Sequence, residues 1–317
     1  MKRRGRLLAG LIGLGLLLGV LLTMDVSAFE RYAERLPAGA LLTAFAAYGA
    51  QNVFRALRYR ALLGRPDLPL PLMTAIALYH NGMVRLLPFK LGELTYIALM
   101  QARLGVRLSA GVTSLVGSRL LELVMIVAVA AGALLLAEDA ALSTRLFLLG
   151  LAAAGTAGGA LLLYSPSALR AAGRWLEGRL ALARRFRPTL ERLADELEAL
   201  RQPRRLMGGL LWSCGTYSSA FATSWVLMDA LGLALPLRDL VIVISLGMFA
   251  TAFPFNISGF GLVEWSLAVG LTRSAGLPLS EAAAVGLLLN SFQQAAALLW
   301  GIIGLAGLRL APAPAAS

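Results

Sequence analysis

The chain has 317 residues, of which 58% are hydrophobic and only 15% are charged. Soluble domains carry about 25% charged residues, so this composition excludes an ordinary soluble enzyme and predicts an all-α integral membrane protein. The single cysteine excludes an internal disulfide, the single histidine argues against a His-based metal centre, and we expect no metal and no cofactor.

The chain opens with a basic segment and an apolar run from about residue 7 to 24. This run is longer than the ~7–15-residue core of a signal peptide, so we expect a retained helix, although Val26-Ser27-Ala28 leaves cleavage open. The next predicted span covers residues 38–54. It ends at a group of arginines, which places that end in the cytoplasm. The group consists of Arg55, Arg58, Arg60 and Arg65.

An interrupted apolar segment follows, at residues 71–87 and 91–104, and it closes at Arg103 and Arg107. A long predicted span, 108–136, then ends in acidic residues with no base nearby, which indicates the outside. The interrupted segment must therefore begin and end inside. We expect a re-entrant hairpin, or a pair of short helices, entered from the cytoplasm.

A span at residues 146–164 returns the chain to the cytoplasm, where residues 165–205 contain ten arginines and five acids. This is the clearest positive-inside segment. Its leucines recur at helical spacing, which predicts an amphipathic helix on the cytoplasmic surface, in contact with anionic headgroups. These leucines are Leu190, Leu193, Leu197 and Leu200. The alternative is an ordinary loop that only sets the topology.

The second half repeats the order of the first. A span at residues 206–231 leads outwards, and a second interrupted segment, 237–253 and 262–271, is then entered from outside. The last span, 279–308, ends inside at Arg309. We expect a single membrane domain over residues 1–311, and a disordered tail at 312–317.

The two interrupted segments are related in sequence. Leu70-Pro71-Leu72 recurs as Leu235-Pro236-Leu237, and Glu93 recurs 171 positions later as Glu264. Because the units at ~38–136 and ~206–308 run in opposite orientations, we predict about six full spans and two re-entrant helical hairpins in an inverted-topology repeat. Broken segments at corresponding positions are typical of a transporter binding site near the bilayer midplane.

Polar side chains interrupt these apolar segments. A charge at the bilayer centre costs ~2.5–3.5 kcal/mol, so these groups must pair, face water or bind a polar ligand. We predict headgroup binding by Arg85, Lys90, Glu93, Arg119, Glu122, Asn256, Ser258 and Glu264, supported by His80, Asn81, Asn290 and Gln293. The alternative is that they form structural ion pairs between helices.

Both hairpins are predicted to break at proline and glycine. The breaks are Pro88 and Gly92 in the first hairpin, and Pro254, Gly259 and Gly261 in the second. Free backbone N–H groups at such breaks favour anions, and the basic side chains nearby could hold a phosphate. The glutamates could balance these cations, recognise a cationic headgroup or carry protons.

Three stretches of sequence, 81–94, 118–122 and 253–264, resemble the lysylphosphatidylglycerol synthase transmembrane family. This is the flippase-like membrane part of the multiple peptide resistance factor. Pro88–Glu93 fits the family pattern Pro-x-x-x-Gly-Glu, and Gly259–Glu264 fits Gly-x-Gly-x-x-Glu. The best-known members carry a soluble aminoacyl-transfer domain after the membrane part. Because this chain stops at Ser317, we expect a stand-alone member that does not aminoacylate.

The resemblance implies movement of a lipid between leaflets, either an aminoacylated phosphatidylglycerol or another phospholipid or glycolipid. We expect a translocase in the cytoplasmic membrane, with both termini in the cytoplasm and anionic or zwitterionic lipids, not nucleic acid, as partners. Three alternatives stay open. They are an ion- or proton-coupled transporter of a soluble substrate, a transferase on a lipid-linked sugar with Glu93 or Glu264 as base, and a non-catalytic partner of a lipid-synthesis enzyme.

Overall fold

The computed structural model describes residues 3–87, 91–135, 142–177, 183–252 and 260–311. These residues form twelve α-helices and no strand. In chain order the helices are α1 (Arg3–Thr23), α2 (Val26–Arg35), α3 (Ala38–Leu63), α4 (Leu70–Leu86), α5 (Glu93–Leu104), α6 (Leu108–Leu135), α7 (Leu142–Glu177), α8 (Ala183–Leu200), α9 (Pro203–Ala230), α10 (Leu237–Ala252), α11 (Leu262–Ala275) and α12 (Leu279–Leu310). The all-α prediction is confirmed. The predicted tail at 312–317 lies outside the described residues.

The helix ends follow local sequence signals. Gly105 and Gly276 adopt φ of 61° and 67°, a left-handed conformation that favours glycine, and they end α5 and α11. They lie 171 positions apart, the same separation as the two glutamates that begin the helices before them. Helices α5 and α11 thus both end at a left-handed glycine.

The first apolar run forms α1, and a short second helix that the sequence analysis did not predict follows it. Asp25 caps α2 by accepting a hydrogen bond from the Ala28 amide at 3.1 Å, and the chain bends by 84° between the two helices. The Trp265 indole N–H donates to the Leu16 carbonyl at 2.8 Å. In this fold α1 and α2 therefore pack against the second half of the chain.

Both interrupted segments form helix pairs, α4 with α5 and α10 with α11, and the helices of each pair contact each other. Gly92 closes the first pair, because a Cβ added there would lie 2.3 Å from the carbonyl carbon of Met83. Only a glycine permits this approach of α5 to α4. Of the other predicted breaks, Gly261 directly precedes α11. Pro88, Pro254 and Gly259 lie outside the described residues.

Contacts between helices occur in matching sets. Helix α3 packs along α9, while α4 packs against α12 in the same way that α10 packs against α6. The contact of α3 with α12 likewise has a counterpart in the contact of α9 with α6. Glycines allow the closest of these approaches, since a Cβ on Gly82 would lie 3.1 Å from the Cα of Gly301. The first helix of each pair therefore packs against a long helix of the other half.

Helix α8 confirms the predicted helix, and the predicted contact with anionic headgroups stays a prediction. Leu197 and Leu200 are buried against Leu62 and Leu121 of the helix bundle. Ion pairs hold the helix in place at its polar face, including Arg107–Glu196 at 2.9 Å. The leucine periodicity correctly indicated an amphipathic helix, and the protein interior covers it. The side chain of Leu190 is not described.

Two helical stretches in the described part of the chain are long and apolar enough to cross a membrane, Leu108–Val129 and Leu279–Leu310. The bent pair Ile12–Thr23 with Val26–Arg35 would make a third. Helices α3 and α9 are 26 and 28 residues long, which corresponds to about 40 Å at 1.5 Å per residue. Polar side chains facing the interior lower the mean hydropathy of both. The count of six full spans stays a prediction.

Candidate functional site

A cavity of about 550 Å³ lies at the centre of the bundle. Both helix pairs contribute to its wall, through Arg85 and Glu93 on one side and Met248 and Val263 on the other. Helices α3, α6, α9 and α12 complete the wall. This volume lies within the ~300–1,000 Å³ typical of ligand sites, and the position is the one predicted from the two broken segments.

Four charged side chains in or beside the cavity wall form a connected network. Arg119 bridges two carboxylates, with its guanidinium 2.8 Å from Glu93 Oε1 and 2.5 Å from Glu122 Oε2. Arg58 reaches the other oxygen of Glu122 at 2.6 Å. Ion pairs thereby join α3, α5 and α6, and the two contacts of Glu122 are also charge-assisted hydrogen bonds, which are stronger than neutral ones.

Arg58 is fully buried, and neutral groups support it. Its second terminal nitrogen lies 3.4 Å from the hydroxyl of Ser213, and the Tyr217 hydroxyl donates to the backbone carbonyl of Glu122 at 3.0 Å. A buried charge is tolerated only when ion pairs and hydrogen bonds compensate for its lost hydration. Helix α9 therefore helps to hold the network although it contributes no charge to it.

The second half contains a version of this arrangement without the arginine. Glu264 is fully buried and accepts hydrogen bonds from the Gly261 amide, at 2.7 Å, and from the side-chain amide of Asn290. Asn290 lies 171 positions after Arg119, as Glu264 does after Glu93, so the same contact recurs with an amide in place of the guanidinium. Gln293, the counterpart of Glu122, lines the cavity.

His80 and Asn81 support the first break rather than the ion pairs. The His80 ring nitrogen Nδ1 lies 3.2 Å from the Gly92 carbonyl oxygen, and Asn81 donates to the Tyr48 hydroxyl at 2.8 Å. Both side chains are buried at the cavity wall. His80 thereby links α4 to the residue before Glu93, and Asn81 links α4 to α3.

Two cations in the cavity wall, Arg55 and Arg85, form no ion pair with any described residue. Arg55 donates only to a neutral partner, the Asn52 side-chain oxygen, at 2.8 Å. Arg85 makes neither an ion pair nor a hydrogen bond within the described ranges. The lining of the cavity thus contains more cationic than anionic groups, three arginines against two glutamates.

The predicted site residues divide into three groups. Those in the cavity wall are Arg85, Glu93, Arg119, Glu122, His80, Asn81 and Gln293. Glu264 and Asn290 contact each other but do not line the cavity, and Gly92 and Gly261 lie at the breaks. Outside the described residues are Lys90, Asn256, Ser258, Pro88, Pro254 and Gly259.

Arg55 and Arg58 were missed as site residues. Both arginines lie beyond the end of the predicted span, whereas α3 continues to Leu63 and buries Arg58 completely. The spacing of Tyr48, Gln51 or Asn52, and Arg55 every three or four residues puts a polar stripe on one helix face. That periodicity was the signal that could have identified them.

Comparison with known proteins agrees with a membrane protein. A family model described as the lysylphosphatidylglycerol synthase TM region matches residues 6–301, which includes both helix pairs and the whole cavity wall. Neither a curated protein nor a solved structure matches the chain. Because the family match covers nearly its whole length, this chain is a membrane protein and belongs to the lysylphosphatidylglycerol synthase TM region family.

Proposed function

We propose that the protein is a lipid translocase, which moves a phospholipid or another lipid with a polar headgroup between the leaflets of the cell membrane. The observation that carries the proposal is the central cavity, which both broken helix pairs line and which contains ion-paired charge. A site of this kind, between corresponding broken helices, is the arrangement used by transporters. Membership of a lipid-related membrane family supports a lipid as the cargo.

An inverted repeat of six full spans and two re-entrant hairpins is the topology we propose. The paired helix contacts, the left-handed glycines at 105 and 276, and the recurrence of the Glu93–Arg119 contact as Glu264–Asn290 support a repeat. The arginine distribution supports opposite orientation of the halves, with both termini in the cytoplasm. The two hairpins would then approach the midplane from opposite sides.

The surroundings of the first break favour a lipid over a soluble cargo. Leu86, Leu91 and Leu94 are 53%, 48% and 61% exposed, and they flank Arg85 and Glu93 in the cavity wall. In a membrane protein, exposed leucines of this kind face acyl chains. A headgroup could therefore enter the cavity beside the break while its tails stay in the bilayer.

The ion-pair network offers a means of alternating access. Arg119 holds α5 to α6 through Glu93, so a headgroup phosphate that competes for this guanidinium would release the first hairpin from the bundle. The Glu264–Asn290 hydrogen bond holds the second hairpin in a corresponding place. Opening one contact while the other stays closed would expose the cavity to one side at a time. On this account the protein moves lipid without changing it chemically.

A leaflet-exchange assay tests the proposal. Purified protein is reconstituted in vesicles with fluorescent phospholipid, and an impermeant quencher added outside reports the fraction of lipid in each leaflet. We expect rapid exchange that the combined change Glu93→Gln, Arg119→Ala and Glu264→Gln abolishes, while the exposed control Glu30→Gln keeps it. Equal rates in the triple variant and the control would refute the site. Mass spectrometry of the recovered lipid must show no new product, since a new product would indicate a transferase.

A further inference from the structure

The balance of charge in the cavity indicates which headgroups it accepts. Both acids in the wall are already paired, Glu93 with Arg119, and Glu122 with Arg119 and Arg58. Two arginines therefore satisfy two carboxylates. Arg55 and Arg85 are left in the wall, with no carboxylate partner among the residues described.

Neither described carboxylate of the cavity wall is free to receive a cationic group. Glu264, the third acid of the two helix pairs, is fully buried outside the cavity wall, and it accepts hydrogen bonds from Gly261 and Asn290. An ammonium group entering the cavity would have to displace an existing ion pair. It would also meet the positive charge of Arg55 and Arg85, which form no close ion pair with a described residue, in an environment where like charges repel more strongly than in water. A phosphate entering the same space would find two guanidinium groups without an anionic partner.

Neutral polar groups also lie in the cavity wall, among apolar side chains. Gln51 on α3, Ser224 on α9 and Gln293 on α12 have no hydrogen bond to any described residue, although all three lie in the wall. Amides and hydroxyls can both donate and accept, which suits the hydroxyl groups of a headgroup. The cavity thus combines surplus positive charge with uncharged hydrogen-bonding groups.

We infer that the cavity selects a phospholipid headgroup that carries net negative charge and free hydroxyls, and that it discriminates against a headgroup made cationic by an aminoacyl group. This inference rests on the proposed function and narrows it to a class of substrate. Arg55 and Arg85 hold the phosphate, and Gln51, Ser224 and Gln293 hydrogen-bond the hydroxyls. The ion pairs of Glu93 and Glu122 keep both acids unavailable to an ammonium group.

Competition between lipids tests the inference. Vesicles contain a trace of fluorescent phosphatidylglycerol and equal amounts of unlabelled phosphatidylglycerol, phosphatidylethanolamine or lysyl-phosphatidylglycerol in separate preparations. We expect phosphatidylglycerol to slow exchange of the label at least tenfold more effectively than lysyl-phosphatidylglycerol. Equal competition, or stronger competition by lysyl-phosphatidylglycerol, would overturn the inference while the proposed translocase stands. Absence of exchange with every lipid would instead remove the proposed function.

Substitutions of the two arginines separate charge from fold. Arg55→Gln and Arg85→Gln should each reduce the preference for phosphatidylglycerol about tenfold, as expected when a charge-assisted hydrogen bond is lost. Arg85→Lys keeps the charge and should keep most of the preference. The exposed control Arg309→Gln, in the last turn of α12, should leave it unchanged. An unchanged preference in both Gln variants would contradict the assignment.

A soluble phosphate is the other source of the same chemistry. Uptake of radiolabelled glycerol phosphate into the vesicle lumen is therefore measured with the same preparations. The inference predicts no uptake above protein-free vesicles. Uptake that depends on Arg55 and Arg85 would overturn it in favour of a soluble substrate.

Discussion

Replacing Arg58 by methionine should destabilise the protein more than any other single change in the network. Arg58 is fully buried, and its terminal nitrogen lies 2.6 Å from Glu122. Methionine is of similar length and apolar, so the change removes one charge and creates little cavity. Glu122 would keep Arg119, at 2.5 Å, but would share that partner with Glu93.

The magnitude follows from what Glu122 retains. Removing one partner of a buried ion pair costs ~3–5 kcal/mol when the other charge is left alone. Loss of a charged hydrogen bond alone costs ~1.5–3 kcal/mol. Because Arg119 stays beside Glu122, we expect the free energy of unfolding to fall by about 2–4 kcal/mol. The corresponding fall in melting temperature is roughly 5–10 °C.

Thermal unfolding in detergent, followed by tryptophan fluorescence, measures this change. The double variant Arg58→Met with Glu122→Gln removes both partners, and it should lose less than the sum of the two single variants by about 1 kcal/mol or more. Additive losses, or a fall of less than 2 °C for Arg58→Met, would refute the view that the buried pair holds α3 to α6.

Three further predictions concern the break, the second half and α8. Gly92→Ala should lower the free energy of unfolding by at least 2 kcal/mol, because the added Cβ would overlap the backbone of α4. The control Gly132→Ala, whose Cβ would meet no atom within 4 Å, should be nearly neutral in the same melting experiment. Equal effects of the two changes would contradict the close approach of α5 to α4. Asn290→Leu should cost about 1–3 kcal/mol by removing a hydrogen bond from the buried carboxylate of Glu264, and an unchanged melting temperature would show that this contact is dispensable. Arg170→Gln breaks exposed ion pairs of α8 and should change stability by less than ~1 kcal/mol, so a larger loss would mean that these pairs, rather than the buried leucines, hold α8.

The sequence allowed the helix pairs and much of the site to be predicted because the chain presents the pattern twice. Glu93 and Glu264 could be matched through one constant separation, and charged groups within apolar runs required partners nearby. The placement of Arg119 and Glu122 on one face of one helix followed from their spacing of three. These are local or repeated signals, and they need no knowledge of the packing.

What could not be predicted depends on contacts between distant segments. An arginine at the end of an apolar run is typical of a cytoplasmic boundary, and Arg58 differs only because Glu122, on another helix, meets it in the fold. The apolar face of α8 gave no sign of whether lipid or protein would cover it, until Leu62 and Leu121 supplied the partner surface. Asp25 is a residue type that favours a helix N-cap, but it directly follows an apolar run that was interpreted as one span, so the start of α2 was not predicted.

Blocking the cavity is the most direct test of the central claim that lipid passes through it. In a Cys214→Ser background, which removes the only native cysteine, Gln293→Cys places one thiol in the cavity wall. Leaflet exchange is measured before and after reaction with a bulky thiol reagent, and the extent of reaction is determined by mass spectrometry. The account predicts that exchange falls to the rate of protein-free vesicles once the thiol is modified. An undiminished rate in fully modified protein would contradict it.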